Sequence, residues 1–177
     1  MKAAQVENQI GVVGAGLIGM SWAGLFSGFG YETTVYDPYL KAQQLAHQEI
    51  NDIWGSLDLL FDGLKNKKEV KFSNKIKDLK FSTFIQENCP EDLSLKQGLI
   101  SKIERIVSED TVISSSTSSF MPSELQNVCT NPERIIVGHP MNPPHLVPIV
   151  EIVLGKVFSQ EISNRAKSFY NSLQRVP

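Results

Sequence analysis

A histidine follows one apolar segment and a glutamate interrupts the next, and together they could perform acid–base chemistry. His139 follows residues 134–138, and Glu151 is the one charged residue within residues 147–153. A carboxylate in an apolar strand needs a partner, and a carboxylate bound to one imidazole nitrogen raises the basicity of the other. His139 could therefore act as a general base on a substrate hydroxyl. Two alternatives stay open: Glu151 pairs with Arg134, or Glu151 faces solvent and His139 lies in a loop.

A hydroxyl-rich segment provides a third candidate for chemistry. Residues 114–119 read Ser-Ser-Ser-Thr-Ser-Ser and follow an apolar segment. Ligands of open α/β sheets bind beyond the carboxyl ends of the strands, so these hydroxyls are expected near His139. Each hydroxyl could equally serve as a turn or cap group, and the residues alone leave both interpretations open.

A glycine pattern near the beginning of the chain indicates a dinucleotide site. Gly14, Gly16 and Gly19 follow an apolar run in the spacing G-x-G-x-x-G. Gly14 would allow a tight turn, Gly16 would let backbone approach a pyrophosphate, and Gly19 would let the next helix pack closely. That helix would offer its amino-terminal N–H groups to the phosphates. Asp37 ends the next apolar run, where its carboxylate can accept hydrogen bonds from the adenosine ribose and repel a 2′-phosphate. The pattern predicts NAD rather than NADP, with FAD as an alternative.

Composition excludes several other classes of function. The chain has 177 residues and a net charge of −2, and no basic cluster extends beyond Lys65–Lys68, so no nucleic-acid partner is expected. The apolar stretches are too short to cross a bilayer, and residues 1–5 lack the apolar core of a signal peptide. Cys89 and Cys129 have no metal-ligand spacing. We therefore expect a cytoplasmic protein with a small-molecule substrate and no metal.

The elements that must position these residues alternate between strands and helices. This alternation predicts an α/β fold, a Rossmann-like doubly wound and mostly parallel sheet with helices on both faces, in one dinucleotide-binding domain over residues 1–177 with no second domain. A polar loop is expected from Gly63 to Lys71, a kink or break at Gly55, His47 on a polar helix face and His145 in a loop. Helices are predicted over 18–28, 39–64, 91–107, 122–128 and 159–173, and strands over 10–13, up to 37, 83–87, 111–115, 134–138 and 147–153.

Four stretches carry a likeness to a known family. Residues 14–26, 86–96, 114–119 and 139–151 resemble, in order and spacing, the 3-hydroxyacyl-CoA dehydrogenase superfamily. Within it, the chain is most similar to the L-gulonate 3-dehydrogenase (lambda-crystallin) branch, and residues 139–151 also resemble L-carnitine dehydrogenases. The resemblance implies an NAD-dependent oxidoreductase that oxidises a 3-hydroxy acid or a related secondary alcohol, with hydride passing to NAD.

The resemblance also implies roles for individual residues. His139 would be the general base, Glu151 its carboxylate partner, and Ser118 a contact to substrate or nicotinamide. Asn142 would lie beside the nicotinamide. The remaining cofactor contacts would come from Gly14, Gly16, Leu17, Ile18, Gly19, Asp37, Glu91 and Lys96.

The family pattern continues beyond the part found in this sequence. Its members have a further all-helical domain, which supplies another catalytic-site asparagine, most of the substrate pocket and the dimer interface. We therefore expect an exposed apolar face and a homodimer or another partner. Two alternatives to the dehydrogenase follow: a non-redox isomerase, cyclase or lyase that uses His139, or an NAD-binding half-enzyme that needs a partner chain.

Overall fold

In the computed structural model, which describes residues 8–39 and 41–177, seven strands form one sheet in the order β3-β2-β1-β4-β5-β6-β7. Residues 1–7, Leu40 of the predicted second helix, and the side chains of residues 41–44 lie outside the described part. The elements follow the order β1 Gln9–Val13, α1 Leu17–Gly28, β2 Glu32–Tyr36, α2 Lys41–Leu60, β3 Lys71–Ser73, β4 Phe84–Glu87, α3 Leu93–Glu104, β5 Val112–Ser115, α4 Pro122–Gln126, β6 Ile135–Pro140, β7 Val150–Leu154 and α5 Gln160–Ser172.

The sheet confirms the predicted doubly wound α/β fold. Strands β1 to β6 are parallel, whereas β7 is antiparallel to β6 at one edge. Strand β1 lies between β2 and β4, so the chain winds outward in both directions from this point. The crevice beyond the carboxyl ends of β1 and β4 is where such a fold binds its ligand.

Two apolar layers hold helices against the two faces of the sheet. In one layer, α1, α2 and α5 pack on the sheet. Aromatic rings contribute to this layer, and the ring centroids of Phe84 and Phe169 are 4.3 Å apart. The other layer packs α3 and α4 through residues such as Ile100 and Leu125. Strands β4 and β5 are buried along their whole length, as expected for parallel strands covered on both faces. Helices therefore cover both faces of the sheet beside the crevice.

Several local predictions are wrong, each for an identifiable reason. Helix α2 runs through Gly55 without a break, because Gly55 lies on its exposed face and its amide group continues the helical hydrogen bonding. Residues 71–73 pair with β2 as a short strand that was not predicted and that begins where the predicted polar loop ends. Strand β7 begins at Val150, since Pro148 before it has no N–H for a ladder. Among the described helices, none is both long and apolar enough to cross a bilayer.

Candidate active site

The loop between β1 and α1 needs glycine at two of its three motif positions. Gly14 has a φ of +91°, which L side chains rarely adopt, and a Cβ there would lie 2.9 Å from the carbonyl oxygen of Asn88. A Cβ on Gly19 would lie 1.9 Å from the carbonyl oxygen of Gly14. The two glycines therefore let the loop fold tightly against the β4 side and let α1 begin directly above it.

The third glycine leaves the amino end of α1 open. Gly16 is the N-cap of the helix and has no side chain to cap it, and the first turn carries no acidic residue. A Cβ on Gly16 would meet no protein atom within 4 Å. Leu17 is exposed and Ile18 half-buried at this end. The unsatisfied N–H groups and the positive end of the helix dipole are thus presented to an anion.

Asp37 lies at the tip of β2, beside this loop. Its Oδ2 accepts a hydrogen bond from the backbone N–H of Ala15 at 2.8 Å, and its Oδ1 accepts one from the N–H of Tyr39 at 2.8 Å. These two bonds hold the carboxylate in place, and each oxygen keeps a lone pair for another donor. A ribose with two hydroxyl groups is a donor of the required kind.

A cleft of about 780 Å³ connects these groups, a volume within the usual range for cofactor sites. Its walls come from the glycine loop, the tip of β2, the segment after β4 and one face of α3; among its lining residues are Gly14, Gly16, Asp37, Asn88, Pro90 and Leu95. Amide groups for a diphosphate and a carboxylate for a ribose thus face one cleft, and the residues present fit an adenine dinucleotide.

His139 and Glu151 are partners across the antiparallel β6–β7 pair. The His139 Nδ1 atom lies 2.8 Å from Glu151 Oε2, and the two residues face each other in the strand register. A carboxylate can only accept, so Nδ1 carries the proton and donates it. In the neutral imidazole, Nε2 then carries the lone pair that can accept a proton from a substrate. The expected contact is present, while its catalytic role stays a prediction.

Glu151 faces solvent, as one alternative predicted, so the prediction that it is buried is wrong, and so is its pairing with Arg134. Glu151 is exposed rather than buried, because β7 is an edge strand whose side chains alternate between the core and solvent. Arg134 is buried elsewhere, where it donates hydrogen bonds to the carbonyl oxygens of Ser108 at 2.6 Å and Glu104 at 3.0 Å. Glu151 therefore holds His139 from the solvent side, and His139 is half-buried within a strand rather than in a loop.

The serine-rich turn, residues 116–119 of the hydroxyl-rich segment, is held by a carboxylate. Glu91 Oε1 accepts hydrogen bonds from the backbone N–H groups of Ser118 at 3.1 Å and Ser119 at 3.0 Å, and also from the hydroxyl of Thr117. Burial alone would raise the pKa of Glu91, but the Thr117 hydrogen bond and the charge of Lys96 outweigh it and lower that pKa. Ser118 itself is exposed, so its hydroxyl is available to a ligand.

Glu91 lies differently around α3 from what the sequence predicts, and Lys96 is buried within this helix. Glu91 was expected in the first turn of a helix, but α3 begins at Leu93, and Asp92 is its N-cap with a 2.8 Å bond from the N–H of Leu95. Lys96 is fully buried, and its Nζ contacts Glu87 Oε1 at 3.0 Å. Its contact with the cofactor remains a prediction, as does that of the exposed Asn142.

Sequence reasoning missed several residues of this region. The side chain of Ser21 lies 2.8 Å from His145 Nδ1 and accepts the His145 N–H at 3.0 Å, so the loop after β6 is attached to α1. Gln86 binds the carbonyl oxygen of Gly138 at 3.2 Å and the hydroxyl of Tyr170 at 2.7 Å. Gln86 is a polar residue in an apolar strand, which is the same sequence feature that indicated a role for Glu151.

The chain resembles known proteins over nearly its whole length. Residues 9–177 match the family described as 3-hydroxyacyl-CoA dehydrogenase, NAD binding domain. An L-carnitine dehydrogenase of Oceanobacillus iheyensis is 39% identical over 173 residues, which cover 96% of this chain and 56% of that protein. The chain spans about half the length of the curated relatives that it matches.

Solved structures show the same likeness. The 5-formyl-3-hydroxy-2-methylpyridine 4-carboxylic acid 5-dehydrogenase, an NAD⁺-dependent dismutase, superposes with a TM-score of 0.91 at 26% identity, over 97% of this chain and 57% of that one. The (S)-3-hydroxybutyryl-CoA dehydrogenase of Ralstonia eutropha superposes with a TM-score of 0.85 at 26% identity, over 97% of this chain and 62% of that one. The cofactor predicted from the glycine loop and Asp37 is confirmed as NAD by the family, and the chain belongs to the NAD-binding domains of the 3-hydroxyacyl-CoA dehydrogenases.

Proposed function

We propose that the chain is the cofactor-binding and acid–base part of an NAD-dependent dehydrogenase that oxidises the secondary alcohol of a 3-hydroxy acid. The observation that carries this proposal is the 2.8 Å contact between His139 and Glu151, near the carboxyl end of β6 and the start of β7, on the edge of the sheet where the dinucleotide crevice lies. The relatives named L-carnitine dehydrogenase make L-carnitine, itself a 3-hydroxy acid, the first substrate to test.

Each predicted residue has a defined task in this reaction. NAD, when bound, supplies the acceptor for the hydride that leaves the carbinol carbon. The amide groups at the start of α1 would hold its diphosphate, and Asp37 its adenosine ribose. His139 Nε2 takes the proton of the substrate hydroxyl, and Glu151 stabilises the imidazolium that forms. The exposed hydroxyl of Ser118 would donate a hydrogen bond to the substrate oxygen.

The test is reduction of NAD, followed by NADH absorbance, with L-carnitine, L-gulonate and 3-hydroxybutyryl-CoA. Loss of the base in a His139→Gln variant should lower kcat by about a hundredfold or more. A His47→Gln variant is the matched control, because His47 is exposed on α2 and contacts Phe72 away from the crevice. Equal activity of the His139→Gln variant and the wild type would contradict the assigned base, and folded protein that reduces no NAD with any of the three would contradict the function.

We also propose that the chain associates through an apolar surface around β7. Ile149, Val153, Val157, Phe158 and Val176 expose apolar side chains in this region, and Ile149 pairs with Val176 there. Several exposed apolar side chains on and near one edge strand favour an interaction site there. The expected result is a dimer in sedimentation at micromolar concentration, and a monomer at every concentration would contradict it.

Two finer assignments from the sequence also stay proposals. A cytoplasmic location is supported by the two unpaired thiols, Cys89 and Cys129, and cell fractionation tests it. Membership of the lambda-crystallin branch predicts faster turnover of L-gulonate than of L-carnitine, and the same absorbance assay decides between the two substrates.

A further inference from the structure

A buried ammonium group lies between two carboxylates at the carboxyl end of β4. Lys96 Nζ is 3.0 Å and 3.2 Å from the two carboxylate oxygens of Glu87 and 3.3 Å from Glu91 Oε2. It also donates to the carbonyl oxygen of Cys89 at 2.9 Å. The side chains of Lys96 and Glu87 are only 1% and 0% exposed. The three donors of the ammonium group therefore all have acceptors within the protein.

Glu87 attaches this group to two neighbouring strands. Its Oε1 accepts the backbone N–H of Cys89 at 2.6 Å, and its Oε2 accepts the hydroxyl of Ser115 at 2.5 Å. Cys89 belongs to the wall of the dinucleotide cleft, and Ser115 ends β5 just before the serine-rich turn. One buried carboxylate thus joins the cleft wall to the base of that turn.

Glu91 links Lys96 to the serine-rich turn itself. One of its carboxylate oxygens faces Lys96, while the other receives the successive N–H groups of Ser118 and Ser119. Because the Ser118 and Ser119 amides donate to the same oxygen atom, the backbone conformation of the turn is restricted at these two residues. The direction of the Ser118 side chain follows from that backbone.

We infer that Glu87, Lys96 and Glu91 form a positioning network, which orients the Ser118 hydroxyl toward the substrate. Lys96 acts in this network through Glu91 rather than by touching the dinucleotide, since its donors are already used inside the protein. The inference rests on the proposed function to the extent that Ser118 serves the substrate. The network itself can be tested without turnover.

The first test measures hydrogen exchange of the Ser118 and Ser119 amides by NMR, together with NADH affinity by fluorescence titration. In a Glu91→Gln variant, both amides should exchange about tenfold faster or more, because their acceptor loses its charge. Lys96→Met should likewise speed exchange of both amides, while its Kd for NADH should stay within about threefold of wild type, the range expected when no direct contact is lost. Lys167→Met, an exposed site on α5, should change neither quantity.

Two results would overturn the inference. Unchanged exchange of both amides in a folded Glu91→Gln variant would show that Glu91 does not hold the turn. A Kd for NADH weakened more than about tenfold in Lys96→Met, with wild-type exchange of the amides, would show direct contact with the dinucleotide. If Lys96→Met fails to fold, Glu91→Gln still decides the question because it leaves the Lys96–Glu87 pair intact.

A double-mutant cycle on kcat tests the link to Ser118. If Glu91 acts through Ser118, Glu91→Gln should lower kcat in the wild type but not in a Ser118→Ala background. Equal losses in both backgrounds would contradict the positioning role and indicate a general effect on the fold. Absence of any turnover in the wild type would refute the proposed function, while the amide exchange would still decide the positioning network.

Discussion

A substitution of Gly16 should separate cofactor binding from folding. The position where its Cβ would lie is empty of protein within 4 Å, and its φ of −76° is accessible to alanine. Gly16→Ala should therefore keep the melting temperature of the wild type. The added methyl group would nevertheless occupy the space through which a diphosphate reaches the amides of α1.

The size of the effect follows from the hydrogen bonds at stake. A phosphate oxygen displaced by a methyl group loses one or two bonds to the helix amides, and bonds to a charged group contribute about 1.5–3 kcal/mol each. The Kd for NADH should rise by about ten- to a hundredfold or more. The neighbouring Gly19→Ala differs, since its Cβ would lie 1.9 Å from the Gly14 carbonyl oxygen and should destabilise the fold by about 1–3 kcal/mol.

The assay pairs a fluorescence titration with NADH and thermal unfolding without it. The structure predicts weak binding with normal stability for Gly16→Ala, and lowered stability for Gly19→Ala. A Gly16→Ala protein that binds NADH within about twofold of wild type would refute the reasoning, because the diphosphate would then lie away from the amino end of α1.

Three further predictions concern stability. Gly55→Ala, on the exposed face of α2, should raise the free energy of unfolding by up to about 1 kcal/mol in urea denaturation, and no gain would contradict the continuous helix. Tyr170→Phe should lower the free energy of unfolding by about 2 kcal/mol. The buried Tyr170 hydroxyl lies 2.7 Å from Gln86, and its removal would leave its hydrogen-bond partners unpaired. A loss under about 0.5 kcal/mol would contradict a stabilising role for these hydrogen bonds. Burial, and secondarily the charge of Arg175, hold the pKa of His145 below its ordinary 6.5. As the pH falls, the His145 imidazole is therefore protonated in the unfolded chain before it is protonated in the folded protein. Stability should therefore decrease on acidification below about pH 6.5, less steeply in His145→Gln, and parallel pH profiles of the two proteins would refute this.

The features predicted most completely from the sequence are those encoded by local spacing. The roles of Gly14 and Gly19 can be predicted without knowledge of distant residues, because the turn and the start of the helix lie within a few positions of each other. Asp37 could be placed because the end of an apolar run marks the end of a strand. The pairing of His139 with Glu151 was expected from chemistry, but for a reason that the exposed edge strand does not support.

What the sequence could not reveal depends on contacts between distant segments. Nothing near Ser118 indicates that its amide would bind Glu91, since the contact requires the order of β4 and β5 in the sheet. Lys96 resembles an ordinary surface lysine of a helix until the segment after β4 closes over it. The attachment of His145 to Ser21 likewise joins α1 to the loop after β6 and depends on the whole fold.

A crystal structure with bound NADH would test the central claim most directly. The account predicts the adenosine ribose oxygens within hydrogen-bond distance of the Asp37 carboxylate and the diphosphate against the amides of Leu17 and Ile18. Density for the dinucleotide elsewhere on the protein, or a cleft at the carboxyl ends of β1 and β4 that stays free of it at saturating NADH, would contradict the account.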